Sequence, residues 1–334
     1  MRSERPGDEL PGGGLALDEA WLRVAGQRGT VPLRPLSMTD LLDGAFATIR
    51  SRPALMMGTS LAVAALGRLV AALPGLWAAA TRSPDEPPPD SGATSAALAW
   101  SLEALLLLLL VVLVAVLLTP AVTEAALGRR TAATQWRRHW RARWRRVVAL
   151  VLVAAASFAL GLLPAWTGGV LRAGGADLAG AVLVWVGVIG WVLVWLPLLA
   201  SRLTPAAAVL LGEDLPARAA VSRAWRLTRG HAWRTLGTSL IAWVSAALAA
   251  LVMTLPTELV ASLIADPEDP QAGFGAVLLA DAVSAAGDLA VAAAVLPFLA
   301  CVIGLIHLDL RMRSEGLAVR LLHDLSRAAA GGRS

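Results

Sequence analysis

The chain has 334 residues, of which 57% are hydrophobic and only 16% charged, with a mean hydropathy of +0.66. A water-soluble protein of this size carries about 25% charged residues, and apolar runs long enough to cross a bilayer recur throughout, so a soluble globule, a disordered chain and a disulfide scaffold are excluded. All 29 basic residues are arginine, the formal net charge is +5, and the single cysteine, Cys301, lies in an apolar run with no partner for an intramolecular bridge.

In chain order, Met1–Thr30 is polar, glycine-rich and of mixed charge, without the apolar stretch of a secretory signal, and residues 1–30 are expected to be a flexible cytoplasmic tail. A membrane domain is expected over 31–318 and a cytoplasmic tail over 319–334. Ser37 and Asp40 form a capping-box pattern ahead of a short interfacial helix on which Leu42, Ala45, Phe46 and Ile49 share a face. Six segments are long and apolar enough to cross about 30 Å of hydrocarbon as helices: Ala54–Leu76, Ala97–Leu118, Val147–Trp166, Leu178–Ala200, Thr235–Leu255 and Leu289–Leu308. The runs are continuous rather than alternating, which points to helices and not barrel strands. Pro84, Pro87, Pro88 and Pro89 keep the first intervening loop from being helical. Phe274–Asp288 reads as an amphipathic helix on the outer surface, because a single span from Phe274 to Leu308 would be about 52 Å long.

Twenty-six of the arginines fall in four segments: the stretch up to Pro53, Arg129–Arg146, Arg202–Arg234 and Arg311–Arg333. The loops between them hold only Arg82 and Arg172, alongside Asp85, Glu86, Asp90, Asp177, Glu258, Asp266, Glu268 and Asp269. The positive-inside rule then puts both termini in the cytoplasm. Within the basic segments, Trp136, Trp140 and Trp144 recur every four residues with Arg137, Arg138, Arg141 and Arg145 around them. Trp225 and Trp233 keep similar company with Arg226, Arg229 and Arg234. Such helices are expected to lie in the headgroup layer, indoles buried and guanidiniums on anionic lipid phosphates. The segments before the first, third and fifth spans also align. Phe46, Trp136 and Trp225 stand at near-equal intervals, Gly-Thr-Ser-Leu occurs at Gly58–Leu61 and Gly237–Leu240, and Leu-Thr-Pro-Ala at Leu118–Ala121 and Leu203–Ala206. The expected fold is therefore all-α and polytopic: three repeated units of interfacial helix, span out and span back.

Arg68 is the most unusual residue, an arginine inside an apolar run, where the insertion cost is about 2.5–3.5 kcal/mol at the membrane centre. An intramembrane polar cluster of Arg68, Glu103 and Asp288 is expected, against the alternatives of snorkelling to the outer headgroups or a substrate or ion role. Asp281, Ser284 and Asp288 share one helix face, read as the wet side of a surface helix or as a cation site. Asp309 and Arg313 are one turn apart and suit an ion pair. The histidines, His139, His231, His307 and His323, lack paired metal-ligand spacing, and no Walker loop, His-Glu-x-x-His or Gly-x-Ser-x-Gly occurs. No catalysis, metal or cofactor is expected.

Three stretches, Val31–Phe46 (VPLRPLSMTDLLDGAF), Ser222–Gly237 (SRAWRLTRGHAWRTLG) and His307–Leu317 (HLDLRMRSEGL), resemble the glycerophosphoryl diester phosphodiesterase membrane-domain family. The resemblance implies a six-helix bacterial membrane protein whose relatives sometimes carry a soluble phosphodiesterase domain, which is not expected here. His307 stands where the family pattern suggests tyrosine. The expectation is a non-enzymatic, lipid-associated scaffold or accessory module of the bacterial cytoplasmic membrane. Anionic phospholipids are its expected partners, together with a membrane-protein partner or a second copy, and nucleic acid is not. The alternative is a transporter or channel component.

Overall fold

The computed structural model describes residues 36–81, 93–126, 133–191, 193, 204–213, 215–265 and 273–316. It is all-α, with no strand among the described residues. The first helix, α1 (Met38–Ser51), starts where the sequence dictates. The Ser37 hydroxyl accepts from the Asp40 backbone N–H at 3.1 Å, and the Asp40 carboxylate accepts from the Ser37 N–H at 2.8 Å. It ends at Arg52, whose backbone leaves the helical region (φ −146°). Pro53 then opens α2, a position where its missing N–H costs nothing. The buried face of α1 is Leu41, Gly44, Ala45 and Thr48. Leu42 and Ile49 lie at its margin, and Phe46 is 53% exposed, touching the bundle only through its ring, 5.1 Å from that of Phe298.

Among the described residues five helices are long and apolar enough to cross a membrane: α2 (Pro53–Thr81), α3 (Ala93–Ala126), α4 (Ala133–Ala173), α8 (Ala232–Ile264) and α9 (Phe274–Glu315). The expected span Leu178–Ala200 is described only in part, as the apolar helix α5 (Asp177–Gly190). Two shorter helices, α6 (Thr204–Gly212) and α7 (Ala217–Leu227), lie between α5 and α8. Two expectations are corrected here. Phe274–Asp288 is not a separate surface helix but the first third of the 42-residue α9. The stretch is alanine-rich and free of proline, so nothing local interrupts it, and α8 runs beside it with Thr257 against Gly287. Likewise the tryptophan-rich stretch from Ala133 continues without a break into α4. Hydropathy marks where a helix suits lipid, whereas its length is set by where the backbone hydrogen bonds stop. The proline-rich loop and both tails lie outside the described residues.

Packing is concentrated at the arginine-rich end. Every residue of Leu296–Leu310 is buried, so this half of α9 is surrounded on all sides, as a central helix must be. Around it stand α1, the first half of α2, the second half of α3, and α6, whose Pro205–Leu210 is wholly buried. That buried helix sits in what the sequence suggested was a cytoplasmic loop. Apolar surface gives no drive between helices in lipid, so close fit and small residues carry the contacts. A Cβ on Gly304 would come within 2.9 Å of Val122, and one on Gly168 within 2.6 Å of the Gly180 carbonyl, where α4 and α5 touch backbone to backbone. The glycines of the two Gly-Thr-Ser-Leu copies, Gly58 and Gly237, face open space instead, while Ser60, Thr238 and Ser239 are buried. Towards the opposite end the described apolar side chains are less covered. Leu66, Leu69, Val70 and Leu73 of α2, Leu178 and Trp185 of α5, and Leu255, Leu259 and Leu263 of α8 are all exposed. Among the described residues α5 packs against α4 alone to any extent, and α2 and α8 flank α9 with little contact between themselves.

Candidate functional site

The buried end of the bundle is closed by a charged clamp on Asp309, a residue of α9 that is 4% exposed. An ionised carboxylate at such a place must have its lone pairs filled. The Leu36 N–H donates to Oδ1 at 2.8 Å, Arg313 Nε lies 3.0 Å from both oxygens, and Arg234 Nε lies 3.4 Å from Oδ2. The other arginine nitrogens turn back onto the Leu36 carbonyl, which accepts from Arg313 Nη2 at 2.9 Å and from Arg234 Nη2. Asp309 thus fastens the entry to α1, the start of α8 and the end of α9 together. The Asp309–Arg313 pair was legible from spacing. Leu36, 273 residues away, was not.

A second cluster lies at the same end. Arg223 of α7 donates through Nε to Glu213 at 2.9 Å and through Nη2 to Glu315 of α9. Arg311 Nε is 3.3 Å from Glu315 and 3.7 Å from the second oxygen of Glu213. The hydrogen bond to Glu213 raises the Arg223 pKa above its usual value against the opposing effect of burial, so this guanidinium stays charged throughout the physiological range. His307, 2% exposed, lies beside the cluster with Nε2 3.9 Å from Glu213. Arg52 joins the α1–α2 junction to Glu124 of α3 at 3.3 Å. Reading the sequence missed both of these arrangements. The Arg311/Glu315 spacing of one turn was the available signal, whereas the partners on other elements had none.

The expected headgroup contacts divide. Trp144, Trp225 and Trp233 are 53%, 46% and 86% exposed, and Arg145, Arg226 and Arg229 are exposed beside them in sequence. On α7 this follows from amphipathicity: Ala217, Ala220, Ala224 and Leu227 turn inward, leaving Trp225 and Arg226 on the outer side. Arg234 departs from the expectation, because its guanidinium is taken up in the Asp309 clamp. Trp136, Arg137, Arg138, Trp140 and Arg141 stand in the first turns of α4, and their side chains lie outside the described residues.

The structure brings Arg68 of α2 and Asp288 of α9 together, Nη1 to Oδ2 at 2.9 Å, with the side chains 48% and 38% exposed. Glu103 lies in α3, and its side chain is outside the described residues. At 1.5 Å per residue Arg68 is about 24 Å along α2 from Arg52, and Asp288 about 32 Å along α9 from Asp309. The pair therefore stands about one hydrocarbon thickness, about 30 Å, along the helices from those two residues, and Arg68 lies about two-thirds of the way through the expected span Ala54–Leu76. Among the described residues no group of three or more His, Cys, Asp or Glu side chains is arranged to hold a metal ion.

The three stretches that carry the family resemblance meet in these clusters: Leu36 from the first, Arg223 and Arg234 from the second, and Asp309, Arg311, Arg313 and Glu315 from the third. Compared with known proteins, the chain matches no protein-family model, no curated protein and no solved structure.

Proposed function

We propose that the chain is a non-enzymatic, lipid-associated module of the bacterial cytoplasmic membrane, with six spans in three helical hairpins and both termini in the cytoplasm. The observation that carries this reading is the exposure of Trp144, Trp225 and Trp233 with Arg145, Arg226 and Arg229 at the end where the helices pack most tightly. Indoles seek the headgroup boundary and guanidiniums seek phosphate, with about 1 kcal/mol gained per basic residue near an anionic surface. The resemblance to the phosphodiesterase membrane-domain family supports the same reading. Its three motif stretches supply a structural clamp, which is what a membrane module without chemistry of its own would keep.

Two measurements test it. Reporter fusions at Pro88 and Gln271 are expected outside the cell and one at Ala133 inside, and a shared compartment for Pro88 and Ala133 overturns the topology. Protein extracted with native lipid is expected to be enriched in phosphatidylglycerol and cardiolipin, and Trp225→Ala with Arg226→Gln and Arg229→Gln to lower that enrichment several-fold. A bulk lipid composition in the wild type overturns the lipid reading.

A further inference from the structure

At the far edge of the helix layer, Thr257 of α8 packs on Gly287 while Arg68 of α2 reaches Asp288. Consecutive residues on a helix point about 100° apart. At this level α2 and α8 therefore meet α9 on different sides, with little contact between themselves, and the ion pair lies on the α2 side of the gap between them. The surroundings are apolar: Leu66, Leu69 and Val70 on α2 and Leu255 and Leu259 on α8 are exposed. A guanidinium has five N–H donors and a carboxylate about four acceptor sites, and the contact between Arg68 and Asp288 engages one atom of each. Half-exposed beside hydrocarbon, the remaining capacity has a strong preference for polar groups. Further out on the same face of α9 come Ser284 and Asp281, both outside the packed core. Among the described residues the charge presented here is one arginine against two aspartates, with the exposed Glu258 on α8 adding a third acid nearby in height.

We propose that this gap binds one phospholipid with a zwitterionic headgroup bearing a primary ammonium, from the leaflet facing away from the arginine-rich end. Arg68 takes the phosphate. Asp288, Ser284 and Asp281 accept from the ammonium, and the acyl chains lie in the apolar gap between α2 and α8. The order of charges decides the class. A lone arginine would accept any phosphate, but the flanking carboxylates repel a headgroup with net negative charge and reward one that ends in N–H donors. A quaternary ammonium fits the charge but has no N–H to donate. The site differs in position and in headgroup chemistry from the anionic lipid belt.

The test uses the full-length protein, delipidated in mild detergent and given phosphatidylethanolamine, its N-monomethyl and N-dimethyl forms, phosphatidylcholine or phosphatidylglycerol, with bound lipid counted by native mass spectrometry. One phosphatidylethanolamine per chain is expected to survive at collision energies that strip the rest, with retention falling stepwise on methylation and about 10-fold lower for phosphatidylcholine. The Arg68→Gln/Asp288→Asn variant should lose that lipid and keep wild-type retention of phosphatidylglycerol, which reports on the other end. Equal retention of the ethanolamine and choline lipids by the wild type overturns the proposal without recourse to any variant. So does a double variant that still holds phosphatidylethanolamine, or one that loses phosphatidylglycerol in equal measure.

Discussion

Leu305 and Leu69 are both leucines in apolar helices, yet the first is fully buried and the second 68% exposed. The difference runs through the whole molecule. At the arginine-rich end α1, α2, α3 and α6 surround α9, and charged residues tie the chain across long sequence separations. Towards the far end the polar contact described is a half-exposed pair, and apolar side chains face outward. In lipid an outward leucine carries no penalty, so a membrane protein can leave one end open provided the other end holds the helices in register. The position of the charges follows the same logic: buried ones need several partners each, as Asp309 has, while those at the far edge rest on one contact and their surroundings.

That contrast can be broken first at Asp309. Asp309→Asn removes the charge facing Arg234 and Arg313, and loss of one member of a buried ion pair costs about 3–5 kcal/mol. Thermal unfolding in detergent should show a large fall in stability, and an unchanged midpoint would mean that the clamp does not hold the bundle. The contrast is sharpened by paired truncations. Leu305→Ala should cost about 2–5 kcal/mol through the lost contacts and the cavity left behind. Leu69→Ala should stay within about 0.5 kcal/mol, as substitutions away from packed features do. Equal effects on the denaturation midpoint would erase the distinction between the two ends. The smallest effect is at the α1 cap, where Ser37→Ala should cost about 1 kcal/mol. Because Leu36 is anchored one residue earlier, hydrogen exchange should rise in the first turn of α1 and hardly elsewhere.

Much of the fold was legible because lipid imposes a simple demand: a spanning helix must be apolar over its whole width, and five helices long and apolar enough stand among the described residues. Their lengths were not legible. Phe274–Asp288 is polar enough to resemble a surface element, yet nothing in it ends a helix. Which face of α1 meets the bundle was not legible: Leu42, Ala45, Phe46 and Ile49 line up as its apolar face, while Leu41, Gly44, Ala45 and Thr48 are the residues it buries. For the site, Arg68 stood out by composition alone and Asp309–Arg313 by spacing. The clamp's other partners include a backbone N–H and carbonyl at Leu36, which no residue type announces. The depth of the Arg68–Asp288 pair emerges only when helix lengths are counted from the charged ring at the other end.

The continuity of α9 has a mechanical consequence. At about 63 Å it exceeds a bilayer of about 45 Å including headgroups, so its Phe274 end either projects into the aqueous phase or the rod leans steeply. Its other end is pinned by Asp309, Arg311, Arg313 and Glu315. A rod pinned at its base acts as a lever: a small sideways push at Phe274 becomes a torque on the pinned base, passed along unbroken backbone hydrogen bonds.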